Sequence, residues 1–530
     1  MKKKMLIFNG GLQTKLAPHL IQDNQATECI NVDLSKGSIY PKKGLTYEQD
    51  VDGVHVLQED LAIISNSDPL DVRSYARFGT RIYWTDGEYN SYGLSRYDGT
   101  NAGVEATAPD APNGTMNLTA SGSSGGPNGD YTYVYTYVDI DGIESAPSGY
   151  FDVTTTGDQD IAITITGETN VPADISARKL YRTGGVNPTF NLVGEILDPA
   201  LTKTDSTRDI DVSRIELATF ANTAPNPSLT NLIENNGTMW ASVGDKIYFS
   251  SNGQPEYWNE LDFLQLNDTC TGIGKFADMV VVLTRADAYL ISGYNRDTVT
   301  MQKLPYREGC VNHKSIANVG DFLVWVSKNG VCVFNGSTVV VATRNLLSWN
   351  DLGRVGSQVW DDSNAVFDAN LGYDVIDGLA LQGKYYGVFS EGVGVLRIED
   401  MTLASIISIP DSKSIYYDDI NNFLVVVVEE DGVYKAKSID TNGAELMNAI
   451  WKTGEMQLDE GYDIIKSFRK LKFDAAPDKV IVTCGEKSFT IMNKKEFFLP
   501  ANFRHNWIQL EIQTTREIRS CQVEYGVLGG

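Results

Sequence analysis

Four histidines and six cysteines are the side chains of this 530-residue chain that could ligate a metal ion or act as nucleophiles. His19, His55, His313 and His505 lie far apart, and none has metal-ligand spacing to another histidine or to a cysteine pair. Cys310 and His313 are three residues apart, which permits a pair of ligands or a Cys–His nucleophile, but no second pair accompanies them. We therefore predict no metal site, no cofactor site and no catalytic residue.

The cysteines form no C-x-x-C pair and are spread along the whole chain. Such a distribution in a long chain is not a disulfide framework, so we predict reduced and mostly buried thiols. The six positions are Cys29, Cys270, Cys310, Cys332, Cys484 and Cys521.

Carboxylates offer the other route to chemistry. The stretch Asp139–Glu144 resembles part of a calcium loop but lacks the flanking helices, which favours a tight turn between strands. Ser251–Trp258 is similar to the turn motif of sialidase propellers but lacks its aspartate, which favours a hairpin turn packed by Tyr257 and Trp258. A glycosidase would need two carboxylates facing each other across a cleft, which a sequence alone does not show. In a chain this acidic, adjacent carboxylates are typical of solvated turns; examples are Asp361/Asp362, Asp418/Asp419 and Glu429/Glu430.

The elements that would position these side chains are recurring β-hairpins. Each copy has a Gly-polar turn, a strand of β-forming residues, a second turn and a second strand. A single hairpin cannot bury its own apolar face, so several must stack, and radial repetition does this without long exposed edges. The spacing of the copies predicts about six propeller blades. Four copies lie at Gly79–Gly87, Gly244–Gly253, Gly320–Ala342 and Gly383–Ile398.

Composition changes divide the chain into five segments. A Pro- and Gly/Ser-rich stretch and the strict alternation of Tyr131–Asp139 indicate a small immunoglobulin- or fibronectin-III-like sandwich inserted between hairpin units. The fold class predicted is therefore all-β: a β-propeller-like core, the inserted sandwich and a small C-terminal β-sandwich. The segments are an N-terminal segment (1–45), the first part of the propeller (46–107), the insert (108–215), the rest of the propeller (216–454) and the C-terminal sandwich (455–530). Short helical turns are predicted at Asp23–Cys29, Asp351–Val355 and Ala444–Trp451.

The charge balance limits the partners. Lys and Arg number 44 against 69 Asp and Glu, a formal net charge of −25. Tight binding of nucleic acid needs clustered basic residues, so we exclude it, although a channel through which DNA slides is compatible with this charge. The apolar stretch near the start is too short for a signal-peptide core, and no apolar run approaches the ~18 residues of a membrane span. We expect synthesis and folding in the cytoplasm.

Three stretches carry a resemblance to a known family. Residues 8–44 contain a Gly-Gly-Leu, a Pro-centred run, a D-N-x-A-x-E-x-x-N-V pattern and a strand ending in a basic residue and glycine. Residues 272–293 pair a G-I-x-x-F-x-D-x-V-V strand with a Y-x-I-S-G strand, and residues 507–525 supply W-I-Q-L-E-I and R-S-C-Q-V-E-Y. Together, over most of 1–107 and 216–530, the chain resembles the tail nozzle (tail hub) proteins of short-tailed bacteriophages. The insert has no match of this kind.

This resemblance implies a structural protein of the virion tail and no enzyme activity. Members form a ring of about six copies below the portal and adaptor rings. Phage DNA passes through the lumen without specific binding, and the ring carries tail fibres or spikes. The implied partners are therefore other copies of the chain, the adaptor and the fibres, with no membrane span and an unassigned partner surface. Two alternatives stay open: a propeller glycosidase or depolymerase, and a carbohydrate-binding adhesin that uses the insert.

Overall fold

The computed structural model describes most of the chain. The described residues are 1–13, 16–33, 37–51, 55–59, 62–66, 74–79, 81–85, 93–97, 102–105, 108–122, 125–140, 142–220, 225–344, 375–389, 392–398, 402–418, 421–439, 444–458 and 464–528. They form two compact units, which are described separately. The first unit comprises Met1–Asp71, Asp268–Ser292 and Thr300–Gly530, and the second unit comprises Val72–Asn267 and Gly293–Val299.

Almost all regular structure in the described residues is β-strand. The helical segments among them are two 3₁₀ turns, Asp209–Asp211 and His313–Ser315, and no helix in the described part is long and apolar enough to cross a membrane. The helical turn predicted at Asp23–Cys29 is wrong, because Ala26–Ile30 is a strand that pairs with Ala449–Thr453. The same pairing overturns the turn predicted to end at Trp451. The third predicted turn, at 351–355, lies outside the described residues.

Six antiparallel groups of four strands occur among the described residues, five as separate sheets and one, within 375–407, as part of a nine-stranded sheet. Five of the six have the hairpin meander expected of a propeller blade, and the last takes its fourth strand from the N-terminal part of the chain. Together with the scarcity of helix, they confirm the all-β, propeller-like fold class. The second unit contains β6 (Ser74–Phe78), β7 (Arg81–Thr85), β8 (Ser95–Tyr97) and β9 (Ala102–Glu105), then β17 (Thr230–Asn235), β18 (Thr238–Val243), β19 (Lys246–Ser251) and β20 (Gln254–Gln265). The first unit contains β21 (Cys270–Phe276), β22 (Met279–Thr284), β23 (Ala288–Ser292) and β24 (Thr300–Lys303), then β25 (Ala317–Val319), β26 (Phe322–Ser327), β27 (Gly330–Phe334) and β28 (Val339–Val341). It also contains β29 (Val375–Leu381), β30 (Lys384–Phe389), β31 (Gly392–Arg397) and β32 (Thr402–Ile407), then β3 (Leu45–Val51) with β33 (Ser412–Asp418), β34 (Phe423–Glu430) and β35 (Val433–Ile439).

The glycine that opens each sequence repeat has a backbone reason to be there. Gly79, Gly244, Gly320 and Gly383 have φ values of +60°, +60°, +59° and +74°, each in the turn between two paired strands. No neighbouring atom lies within 4 Å of an added Cβ at these positions. The left-handed turn conformation, and not close packing, therefore selects glycine at the start of each hairpin.

The first unit also contains a sandwich that joins both ends of the chain. One sheet has β1 (Lys2–Ile7) at its edge, followed by β43 (Ser520–Val527), β37 (Lys466–Phe473) and β40 (Glu496–Phe498), with β41 (Arg504–His505) beside β37. A nine-stranded sheet continues from β29–β32 through β2 (Ala26–Ile30), β36 (Ala449–Thr453), β42 (Gln509–Thr514), β38 (Lys479–Cys484) and β39 (Lys487–Met492). A separate hairpin consists of β4 (His55–Glu59) and β5 (Ala62–Asn66). The sandwich core is apolar, and Phe8 and Trp451 meet in it edge to face at 5.7 Å.

The second unit contains another sandwich, within the segment 108–215. Its three-stranded sheet has the order β10 (Thr115–Ser121), β13 (Asp160–Thr166), β16 (Thr202–Asp205). Its four-stranded sheet has the order β12 (Phe151–Thr154), β11 (Asp130–Asp139), β14 (Ile175–Gly184), β15 (Asn187–Leu197). The alternation predicted for Tyr131–Asp139 is confirmed, because four tyrosines of β11 lie in one core cluster with the isoleucines of β13.

Candidate functional site

The structure gives different hydrogen-bond partners to the two residues that the sequence offered as a metal pair or nucleophile. Cys310 Sγ bonds to the Asn312 carbonyl at 3.0 Å and lies 3.5 Å from Ser315 Oγ, whereas His313 Nδ1 accepts the Ile273 N–H at 3.3 Å. Burial raises the pKa of the Cys310 thiol to about 12 and lowers the pKa of His313 to about 4. A thiol that is neutral at physiological pH is a poor nucleophile, so this arrangement does not resemble a catalytic Cys–His pair.

The other sequence candidates occupy structural positions. All six cysteines lie in described residues, are buried and form no disulfide. No group of three or more His, Cys, Asp or Glu among the described residues is placed to hold a metal ion. Glu429 and Glu430, at the end of β34, form ion pairs with nearby lysines. The side chain of His55, the pair 361/362 and residue 419 lie outside what the structure describes.

The two turn motifs form hairpin and loop structure, as the sequence indicated. Asp139 Oδ1 accepts the Ile143 N–H at 2.8 Å, and the Asp139 carbonyl accepts the Gly142 N–H at 3.1 Å. Ser251–Trp258 spans the β19–β20 hairpin, in which the Trp258 indole N–H donates to the Pro255 carbonyl at 2.8 Å. Tyr257 and Trp258 are each only 3% exposed, so both act as packing anchors.

These two motifs meet at a cleft of about 520 Å³ in the second unit, and the cleft is lined by Glu144 and Glu256, one glutamate from each motif. Glu144 comes from the turn after β11, and Glu256 comes from the start of β20. A cleft with two carboxylates meets the first structural requirement of a glycosidase. It is therefore the candidate functional site for the enzyme alternative.

Glu256 is enclosed by groups of the protein itself. It is 3% exposed and accepts a hydrogen bond from Tyr83 Oη at 2.5 Å, while Arg96 Nη1 and Arg81 Nη1 lie 3.8 and 4.0 Å away. Burial raises the pKa of this carboxyl above its usual value, and the tyrosine and the two arginines act in the opposite direction. A raised pKa is what a general acid requires, so Glu256 is the better placed of the two glutamates for acid catalysis.

Both carboxylate oxygens of Glu144 contact side chains of the protein. Its Oε1 accepts Thr136 Oγ1 at 2.7 Å and Tyr181 Oη at 2.6 Å, and its Oε2 pairs with Lys179 Nζ at 2.8 Å. Its backbone N–H also donates to Tyr257 Oη. These contacts attach the turn of the sandwich to the β19–β20 hairpin and fix the carboxylate in place. The arrangement therefore favours a structural joint over a mobile acid or base.

A second buried polar cluster lies in the core of the same sandwich. Arg182 is 1% exposed and pairs with Asp205 at 2.7 Å and with Asp209 at 3.0 Å. Tyr133 and Tyr131 donate to the same two carboxylates, at 2.7 and 2.9 Å. Four residues earlier on β14, and on the same face, Arg178 pairs with Glu168 at 2.7 Å and Asp198 at 2.8 Å. A signal for this cluster was present in the sequence: two arginines four residues apart fall on the same face of a strand.

Comparisons with known proteins add little to these observations. No family model matches the chain, and no curated protein matches it. One similar solved structure is the WD40 domain of Pan2 from Neurospora crassa, at 6% identity over 54% of this chain and 85% of that chain, with a TM-score of 0.27. Another is Hsv2 from Kluyveromyces lactis, at 9% identity over 51% of this chain and 67% of that chain, with a TM-score of 0.24. AztD from Citrobacter koseri is similar at 12% identity over 75% of this chain and 98% of that chain, with a TM-score of 0.27.

Proposed function

We propose that this chain is a structural subunit of a short-tailed phage tail. In this role it forms a nozzle or hub ring that extends the portal–adaptor channel and carries fibres or spikes. The sequence resemblance motivates the proposal. The structural observation that supports it is the exposed edge strand β1.

Strand β1 lies at the end of its sheet and presents apolar side chains to solvent. Leu6 is 1% exposed and packs inward, whereas Met5 and Ile7 are 56% and 51% exposed. A groove of about 280 Å³ runs beside residues 4–7 and is bordered by Asp23 and Asn24. An open edge of this kind is a template for pairing with another chain. It suits a subunit that must contact its neighbours around a ring.

The charge of the chain fits the same proposal. Subunits with a net charge of −25 repel one another, so a ring needs apolar or strand-to-strand contacts to hold it together. The same acidic balance would let duplex DNA pass through a lumen without adhering. The implied location is the virion tail, with the adaptor and the fibres as partners.

One observation favours an enzyme as the second candidate. The cleft between Glu144 and Glu256 holds a carboxyl with a raised pKa, as a propeller glycosidase would need. We rank this function lower because Glu144 bonds to three side chains of the protein. The adhesin alternative rests on a different surface.

Mass photometry of the full chain tests the structural proposal. The unsubstituted protein is expected to form closed oligomers, and Met5→Lys is expected to shift them to single chains because a charge would replace an apolar contact. Met492→Lys is the matched control, since Met492 is 55% exposed on β39, the edge strand of the nine-stranded sheet. A protein that stays monomeric in every condition, or two variants that assemble equally, would contradict this account of β1.

A further inference from the structure

Three aromatic rings lie together on the surface of the sandwich in the second unit. Tyr150, Phe190 and Phe220 have ring centroids 6.0–6.4 Å apart, and their planes lie within 26–34° of one another. Tyr150 is 60% exposed and Phe220 is 52% exposed. Isolated exposed apolar residues are common on proteins, but a contiguous exposed aromatic cluster indicates a binding surface.

The strand register places these rings on the face of the four-stranded sheet that is turned away from the sandwich core. Phe151 and Val153 of β12 pack against the core cluster, so Tyr150 and Asp152 are on the opposite face by alternation. Phe190 is held in β15 by its carbonyl, which accepts the Leu217 N–H at 2.9 Å. Phe220 is placed by the neighbouring Thr219, whose hydroxyl donates to the Ser145 carbonyl at 2.7 Å. These hydrogen bonds anchor the segments that carry Phe190 and Phe220.

A polar groove of about 580 Å³ lies on the same four-stranded sheet; the three rings do not line it, and Asp152 links it to them along the chain. Asp152 lies in it two residues from Tyr150, and its Oδ1 accepts Thr132 Oγ1 at 2.7 Å. Asp130 also lines it, and its Oδ1 accepts Thr154 Oγ1 at 2.6 Å. Each threonine contact uses one carboxylate oxygen, so the second oxygen can accept from a hydroxyl donor.

We propose that this surface, formed by Tyr150, Phe190 and Phe220 together with Asp130 and Asp152, binds a neutral, hydroxyl-rich glycan. The C–H faces of sugar rings pack on aromatic rings, and sugar hydroxyls donate charge-assisted hydrogen bonds to carboxylates. The two carboxylates would repel sialic or uronic acids, which selects an uncharged sugar chain. A protein partner fits less well, because the centres of protein interfaces are depleted of charged residues. The proposal is independent of the ring assembly and gives the inserted sandwich a task of its own.

Affinity electrophoresis of the full chain tests the proposal, with dextran, mannan and galactan as neutral probes in the gel and polygalacturonate as the anionic probe. At least one neutral polysaccharide is expected to retard the protein. The double variant Tyr150→Ala/Phe220→Ala is expected to lower the apparent affinity roughly tenfold or more, which corresponds to the loss of ~1.4 kcal/mol. The matched control is Tyr294→Ala/Phe498→Ala, which removes two other exposed rings, 48% and 73% exposed.

Asp152→Asn gives a second readout that does not depend on removing a ring. Asp152 is an exposed residue, so the substitution keeps the fold while it weakens hydrogen bonds from sugar hydroxyls and lowers the repulsion of anions. Binding of the neutral probe is expected to weaken, and the relative binding of polygalacturonate is expected to rise. Retardation by no neutral polysaccharide, stronger retardation by polygalacturonate of the unsubstituted chain, or equal loss in the control variant would each overturn the proposal. Mass photometry of the same variants measures oligomer formation separately, so a loss of glycan binding is not confused with a failure to assemble.

Discussion

The two sandwiches of this chain have similar layers but different interiors. In the first unit, both sheets face an apolar core in which Phe8 and Trp451 are fully buried. In the second unit, the sheets enclose Arg178 and Arg182, 3% and 1% exposed, whose charges are balanced by carboxylates and tyrosine hydroxyls. The comparison shows that the sandwich of the second unit buries a polar network beside its apolar cluster, whereas Phe8 and Trp451 of the first sandwich lie in a large apolar cluster.

The two interiors should respond differently to substitution. An apolar core loses stability in proportion to the volume removed, because the cavity left behind relaxes only in part. A buried ion network loses most when one partner is removed, because the remaining charge is left without compensation. A core with such a network can regain stability when all the charged partners are replaced by apolar residues. Substitutions in the two cores therefore separate the two modes of packing.

The largest effect is expected from Trp451→Ala in the first unit. Removal of a fully buried indole should lower the free energy of unfolding by about 4 kcal/mol. Hydrogen exchange should show the loss of protection in β2, β36 and β42, with the sandwich of the second unit unchanged. Trp451→Phe is the control, since it keeps a ring against Phe8 and should cost much less. Equal costs for the two variants would contradict an apolar origin of this stability.

The next effect is expected from Arg182→Met in the second unit. Asp205, which is fully enclosed, would lose the charge that balances it and keep the Tyr133 hydroxyl, and the free energy of unfolding should fall by about 3 kcal/mol. Arg208→Met is the matched control, because Arg208 and Asp211 form an exposed pair, 63% and 52% exposed, whose loss should cost less than about 1 kcal/mol. Urea unfolding, followed by hydrogen exchange in β11 and β14, measures both variants.

A combined variant sharpens this test. Arg182→Met with Asp205→Leu and Tyr133→Phe removes the charge, its partner and the tyrosine that donates to it. The triple variant should be more stable than Arg182→Met alone, because the fully enclosed Asp205 carboxylate is removed together with its charge partner, while Asp209 keeps the hydrogen bond from Tyr131. A triple variant that is less stable than the single one would show that the network contributes by packing shape and not by charge balance.

The smallest effect is a dependence on pH that belongs to the first unit. Burial raises the pKa of Asp377 to about 6 from an ordinary 3.8, so this group adds stability as the pH falls through that interval. Burial lowers the pKa of His313 from 6.5 to about 4, so this group removes stability as the pH falls through nearly the same interval. In the unsubstituted chain, the contributions of Asp377 and His313 to the pH dependence of stability therefore oppose each other.

Asp377→Asn removes the contribution of Asp377 to the pH dependence of stability. The melting temperature of the variant should fall more steeply from pH 6.5 to pH 4 than that of the unsubstituted chain, since only the His313 contribution remains. The exposed Asp321→Asn should leave the profile unchanged. Parallel profiles for Asp377→Asn and the unsubstituted chain would show that Asp377 does not titrate in this range.

The sequence predicted features that depend on local rules. The turn glycines, such as Gly79 and Gly320, adopt a left-handed backbone, and the tyrosines of β11 alternate with period two. Both features depend on local sequence, so they can be predicted before the fold is known. The helical turn at 23–29 was wrong because pairing with β36, more than 400 residues away, outweighs a local capping signal. Glu144 and Glu256 lie in two motifs that the sequence analysis named, but nothing in the sequence shows that these motifs meet. The Tyr150–Phe190–Phe220 cluster was missed because its rings come from distant parts of the chain and no short motif connects them.

We propose that this chain assembles into a ring around a passage. Negative-stain electron microscopy of the purified, unsubstituted chain tests it most directly. The account predicts rings of about six copies with an open centre, and the inserted sandwich as a separate feature of each subunit. Single globular particles at every protein concentration, together with absence of the chain from phage tails probed with an antibody against it, would contradict the claim.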